Sequence, residues 1–401
     1  MDFTLDPRHE ELRLSVRAFV AEHLLPLESD PATYNEYENI RLALRDELRV
    51  KARAAGLWAP QVSQERGGLG LSMVGQAVFY EEANRCVFGP CVFNSAAPDD
   101  GNMRLLEMTA TEEQKARWLQ PIIEGEVNSS FVMTEPHPGG GSDPGMIRTR
   151  AERHGDSWKI YGHKWFISGA AIAKHFILIA RTDDNPDEKR RHLTAFLFHR
   201  DQPGWRIVRR IENMGPDEHG GVCELEFDGL EIPDSCRLME VGDGLKVTQI
   251  RLGPARLTHC MRWLGVSKRA MEIAQEYVSR REGFGVRLAD RESVGLALGE
   301  VAHEIQMGRL LVMHAAWKLD QGDRARKEVS SAKIHMADTL HKAIDTAIQL
   351  NGARGYSKDT MLEWMYRYAR CARIVDGASE VHKMVLSRFY AKEGDDYWSW
   401  G

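Results

Sequence analysis

Three short stretches carry residue types whose spacing could do chemistry. The first is RIVDGASEVHK, Arg373 to Lys383, where Asp376 and Gly377 interrupt two helical patterns. An Asp-Gly pair serves as ordinary helix punctuation; its carboxylate could equally work as an acid–base group. The second is FVMTEPHPGGGSDPG, Phe131 to Gly145, which leaves a strand pattern through three consecutive glycines. Glycine lets backbone N–H groups approach a phosphate or a flat ring, and Thr134 and Ser142 add hydroxyls. A plain turn between strands would use the same residues. The third is YGHKWFISGA, Tyr161 to Ala170. Strand alternation predicts Trp165 and Phe166 on opposite faces, with Ser168 on the face of Phe166. A ring and a hydroxyl on one face would suit a flat heteroaromatic ligand, and they also occur in ordinary cores. No GxGxxG opens a helix and no GxxxxGK[ST] occurs, so the common dinucleotide and nucleoside-triphosphate fingerprints are absent.

The elements that must position these stretches change period twice along the chain. Residues 1–126 read as helical. DPRHEELRLSVRAFVAEHLL offers Asp6 as N-cap, Pro7 at the first helical position, and apolar residues at helical spacing from Leu12 to Leu24. Thr111 and Gln114 have capping-box spacing. Residues 127–235 read as a compact β unit, with short runs such as HFILIA, HLTAFLFHR and VCELEFDG broken by Gly, Asp and Pro. Residues 236–401 return to long helices. RLTHCMRWLGVSKRAMEIAQEYVSRRE is one, SVGLALGEVAHEIQMGRLLVMHAAWKLD another, and a third ends at Gly352. The expected class is therefore multi-domain α+β, with a β-domain between two helical domains.

Bulk properties narrow the function. The chain has 401 residues, 43% of them hydrophobic, which is enough for a sizeable core. Its net charge of −6 leaves no electrostatic footprint for nucleic acid or an anionic membrane. Apolar runs fall well short of the roughly 20 residues that span a bilayer. The N-terminus has early acids and no apolar signal region. The six cysteines form no C-x-x-C pair, so reduced thiols in a cytoplasmic compartment are expected, with no metal site.

Taken in order, these motifs resemble the acyl-CoA dehydrogenase superfamily. TEPHPGGGSD is similar to its TEP…GSD loop, and YGHKWFISGA to its NGxKxWITxG strand. Arg281 with Phe284-Gly285 is similar to its RxxFG element, Gln349 to Gly355 to its QxxGGxG helix end, and VDGA to its catalytic turn. RLGPARLTHCMR and DGASEVH look closest to the branch containing human family members ten and eleven.

The resemblance implies a helical N-domain, a central β-domain and a C-terminal four-helix bundle, with FAD between the last two. It places Met133, Thr134, Ser142, Phe166 and Ser168 beside the flavin. It places Arg281, Phe284, Gln349 and Gly352 at the FAD of a neighbouring subunit, hence a homodimer or homotetramer. On their own, the residues around Arg281 read as a solvated helix end. The implied reaction is α,β-dehydrogenation of an acyl-CoA, with electrons passed to an electron-transfer flavoprotein. Asp376 would remove the α-proton, its basicity raised by a dry surrounding. Its own backbone N–H would hold the thioester oxygen, with Gly377 easing the turn. Ser142, Arg256 and Gly377 are the implied substrate contacts.

Some branches place the base just before the arginine that is Arg256 here. That position is Ala255, which leaves Asp376 as the carboxylate. Departures are Asp for the usual Glu, a TEP loop two residues longer, Phe166 for Trp, Ala378 for Thr and Ala353 for Gly. Two other functions share the fold: nitroalkane oxidation, which also uses an Asp base, and DNA-associated alkylation response. The latter needs a basic C-terminal face, whereas this one ends AKEGDDYWSW.

Overall fold

Asp6 opens the first helix as its position predicts: its side chain accepts the Arg8 N–H at 2.9 Å, Pro7 follows, and α1 runs Pro7–Phe19. The computed structural model describes residues 4–183, 192–217 and 220–399. α2 (Leu42–Ala54), α3 (Met73–Ala83) and α4 (Asp99–Thr109) complete the main N-terminal helices. The capping box at Thr111 and Gln114 forms in both directions.

The middle of the chain builds an eight-stranded sheet. Its strands are β1 (Ser129–Val132), β2 (Arg150–His154), β3 (Ser157–Ser168), β4 (His175–Arg181), β5 (Leu193–His199), β6 (Trp205–Arg210), β7 (Val222–Pro233) and β8 (Arg237–Leu238). The order is β6-β7-β3-β2-β4-β5-β8, with β1 pairing parallel to β4. Leu105, Leu106, Trp118 and Ile122 of the N-terminal region share a core with this sheet.

The C-terminal helices are α5 (Gly244–Arg280), α6 (Glu292–Asp320), α7 (Arg326–Asn351), α8 (Leu362–Ala369) and α9 (Ser379–Glu393). They share a second core with α1 and α3, including Phe79, Tyr80, Trp263, Leu264, Met336 and Leu340. The helix expected from Arg256 starts twelve residues earlier and runs through Pro254. A proline there removes one i→i−4 bond. Burial of Val247 and Arg251 before it, and of Leu257 and Cys260 after it, holds both halves in one rod. That extension matters, because it brings Arg251 onto the helix that faces Asp376.

Candidate active site

Asp376 lies in the turn between α8 and α9 with φ of 51°, and Gly377 follows at 101°. Asp tolerates this left-handed region better than most residues, and glycine takes it freely. Buried cations hold the turn by its carbonyls. Lys333 of α7, fully buried, donates to the carbonyls of Ala372 at 2.7 Å and Gly377 at 3.1 Å. Arg256 donates to the carbonyl of Asp376 itself at 2.9 Å. Arg256, expected at the substrate, is thus part of the clamp that fixes the turn. Among the described residues the Asp376 N–H meets no acceptor.

The carboxylate is 17% exposed and faces α5. Its Oδ2 lies 3.4 Å from His259 Nε2 and 3.6 Å from Arg251 Nη1. Neither contact is a hydrogen bond, and Oδ2 is buried without a hydrogen-bond partner. Arg251, Ala255 and His259 are spaced four apart, so they share one face of the helix. Ala255 leaves room between the two longer side chains. The expectation of a more basic carboxylate is not met. Burial alone would raise its proton affinity, but His259, Arg251 and Arg256 outweigh burial and hold it well below the usual carboxylate range.

Arg251 also joins this turn to the sheet, because its guanidinium lies over the Phe131 ring, 5.1 Å from the centroid. Phe131 leads directly into Met133 and Thr134. The Thr134 hydroxyl donates to the Trp165 carbonyl at 2.7 Å, and the Trp165 N–H donates to the Thr134 carbonyl at 3.0 Å. Lys164, fully buried, bridges the Met133 carbonyl at 2.7 Å and Glu135 Oε1 at 2.9 Å. The loop 133–145 and strand β3 are therefore locked together.

Two expectations about these stretches need correction. Trp165 and Phe166 do not point to opposite faces; their ring centroids are 5.1 Å apart. The pairing of β3 with β7 shifts register between Lys164 and Ile167, and Phe166 takes φ of 51°. Such a bulge breaks the two-residue alternation and re-aims the side chain. The three glycines also differ in use. A Cβ at Gly139 would sit 2.2 Å from Glu135 Oε2, and one at Gly140 would sit 2.8 Å from the Asp143 carbonyl. Those two glycines permit packing of the loop on itself, and only Gly141 has open space around it.

These residues fit a flavin cofactor. Phe166 presents a half-exposed ring from a strained backbone, and Ser168 and Ser142 are exposed, so a flat ring and two hydroxyls are open to a ligand. Met133 and Thr134 lie in the same braced loop. Arg281, Phe284, Gln349 and Gly352 form a separate group. Arg281 caps the C-terminus of α5, Phe284 at a hairpin tip is fully exposed, and Gly352 ends α7 with φ of 60°. Arg354 stacks over Tyr277 at 5.7 Å, which places these two helix ends side by side. At 1.5 Å per residue, roughly 37 Å of α5 separates Arg281 from Arg256. One chain therefore does not bring the second group to the Asp376 turn.

Residues 6–126, 130–230 and 242–391 match the models of the acyl-CoA dehydrogenase N-terminal, middle and C-terminal domains. The chain is 36% identical to the acyl-CoA dehydrogenase FadE2 of Mycobacterium tuberculosis, over 97% of this chain and 96% of that one. It is also 36% identical to acyl-CoA dehydrogenase family member 11 of Gallus gallus, covering 95% of this chain but only 50% of the relative. It therefore spans about half the length of that larger relative. A solved structure from Mycobacterium abscessus, assigned as an acyl-CoA dehydrogenase, superimposes with a TM-score of 0.90 at 33% identity. That match covers 98% of this chain and all of the other.

The chain belongs to the acyl-CoA dehydrogenase family, whose members are FAD-containing oxidoreductases. Its similarity to FadE2 and to family member 11 agrees with the branch that the motifs pointed to.

Arg251, His259 and Lys333 were not among the residues singled out from sequence. A helix drawn from Arg256 hides the four-residue spacing that aligns Arg251 with His259. Lys333 looks like any helical lysine until the turn it holds is in view.

Proposed function

We propose that the protein dehydrogenates an acyl-CoA thioester at its α,β-bond, with Asp376 taking the α-proton. The observation that carries this is the Asp376 turn. It presents an ionised carboxylate with an unpartnered Oδ2, beside its own free N–H, on carbonyls fixed by Lys333 and Arg256. An ionised carboxylate is already in the form a base needs. Arg251 and Arg256 lower its proton affinity but also favour negative charge next to it. The free Asp376 N–H would hold the thioester oxygen as it gains charge. Gly377 permits that geometry, and Ser142 would meet the substrate from the sheet side.

FAD, when bound, supplies the acceptor for the β-hydride. Met133, Thr134, Ser142, Phe166 and Ser168 would hold its ring region. Arg281, Phe284, Gln349 and Gly352 of a second subunit would hold the remainder. The roughly 37 Å of α5 between Arg281 and Arg256, beside the Asp376 turn, favours a homodimer or homotetramer. So does a stripe of exposed apolar residues on α6, Leu296, Met307, Leu310 and Trp317. Electrons would leave to an electron-transfer flavoprotein. The lack of any C-x-x-C spacing among the six cysteines favours a reducing, cytoplasm-like compartment, and no helix among the described residues is long and apolar enough to cross a membrane.

The test is anaerobic reduction of the purified yellow protein by CoA esters of varied chain length, branching and ring content. At least one should bleach the wild type. Asp376→Asn should keep FAD yet slow bleaching by roughly 100-fold to 10,000-fold. Equal bleaching by the variant would remove Asp376 as the base. Peroxide release from a nitroalkane, with no ester active, would favour nitroalkane oxidation instead.

A further inference from the structure

We propose that His259 is the positioning residue through which Asp376 passes its proton on, so that the α-proton comes to rest on the imidazole. This rests on the reading of Asp376 as the base.

Asp376 poses a physical problem. Arg251 and Arg256 favour its charged form, so a proton taken from a weakly acidic carbon is poorly held there. Two groups face the unpartnered oxygen, Arg251 at 3.6 Å and His259 with Nε2 at 3.4 Å, and of these only the imidazole can accept a proton. Its ring stacks on Trp263 with centroids 5.6 Å apart and planes at 25°, which fixes the direction of Nε2. The His259 side chain is 16% exposed, so the imidazole itself meets solvent.

The charged groups around the imidazole come from four elements. Arg251, Arg256 and Arg262 share its helix, Asp100 lies on α4, and Asp376 lies on the turn. Lys333 of α7 sits across Trp263, its Nζ 5.3 Å from that ring.

The steps are proton transfers in which no electrons change hands. The α C–H bond breaks and an O–H bond forms on Oδ2. With the imidazole starting neutral and its own proton on Nδ1, that O–H then breaks as an N–H forms on Nε2. The carboxylate is regenerated next to an imidazolium. A structural role for His259, as a mere donor toward Oδ2, would be served equally by a glutamine amide.

The experiment isolates proton abstraction from redox chemistry. The FAD-loaded protein is incubated in D2O with a 3-thiaacyl-CoA, whose sulfur replaces the β-carbon and leaves no β-hydride. Deuterium uptake at the α-carbon is read by mass spectrometry across pH. Wild type should exchange, Asp376→Asn should not, and His259→Gln should exchange roughly 10-fold to 100-fold more slowly. The variant should also lose the pH inflection of the wild type. Retained FAD absorbance and melting temperature show that His259→Gln is folded; His259→Asn provides a second variant with the same expected loss.

If either folded variant exchanges at the wild-type rate with the wild-type pH profile, His259 has no such role, while the assignment of Asp376 stands. If the wild type neither exchanges nor is bleached by any acyl-CoA, both this inference and the proposed function fall.

Discussion

Burial pushes the His175 imidazole down to about 4, against its hydrogen bond to the Trp118 carbonyl, with His199, Arg117 and Lys174 adding to the effect. Burial also pushes His382, behind the Asp376 turn, down to about 4, with Arg256 and Lys333 contributing. In the unfolded chain both take a proton near the ordinary histidine value, about 6.5. Between those values the unfolded state binds more protons, so their contribution is complete above about pH 6.5. It is lost as pH falls toward 4, by at most about 3 kcal/mol apiece. His175→Asn keeps a donor near the Trp118 carbonyl and removes one titration. Its melting temperature should fall less than that of the wild type between pH 6.5 and 4. Identical slopes would mean that His175 titrates alike in the folded and the unfolded chain. At this scale the sequence showed Asp376 and Gly377, because a turn between two helical patterns is a local signal. It did not show what surrounds the carboxylate. Arg251 and His259 reach Asp376 from a helix more than a hundred residues away, and only the fold brings them together.

The elements explain why a short turn can aim a carboxylate. Lys333 donates from α7 to carbonyls on both sides of Asp376, and Arg256 donates from α5 to the carbonyl between them. Lys333→Met keeps the length and apolar packing of the side chain but leaves two carbonyls without their donor. The expected cost is about 1–3 kcal/mol for each carbonyl left unsatisfied. The expected kinetic effect is a lower kcat with little change in KM, since the base is misplaced and the binding surface is kept. A thermal melt and steady-state kinetics check both. A melt that drops while kcat holds would show that the clamp serves stability alone. The helices were legible from caps and spacing, as at Asp6 and Gly352, because those signals are local. The bulge at Trp165 and Phe166 was not. Alternation assumes an unbroken register, and here β3 slips against β7, a partner strand far away in sequence.

For the whole molecule, roughly 37 Å of α5 lies between Arg281 and the Arg256 that clamps the Asp376 turn, and the proposal is that a second subunit brings Arg281 to the cofactor. Arg281→Glu reverses a charge on an exposed helix end without disturbing a core. It should leave the fold of each chain intact, weaken assembly, and release FAD at concentrations where the wild type keeps it. Light scattering and flavin absorbance on a dilution series read both effects. Full FAD retention by a monomeric variant would show that one chain suffices. The layered order of helices, sheet and helices was legible from changes of period along the chain. The expected role of Arg281 and Phe284 toward a neighbouring subunit came from the resemblance and not from the residues themselves, because an exposed arginine and phenylalanine at a helix end carry no local signal of what they meet. The proposed oxidation of an acyl-CoA at its α,β-bond is read out by a single anaerobic turnover followed by mass spectrometry of the CoA ester. The predicted result is flavin bleaching matched mole for mole by an ester that has lost two hydrogens as a trans-2-enoyl-CoA. Bleaching with the ester recovered unchanged, or no bleaching by any ester in the series, would contradict it.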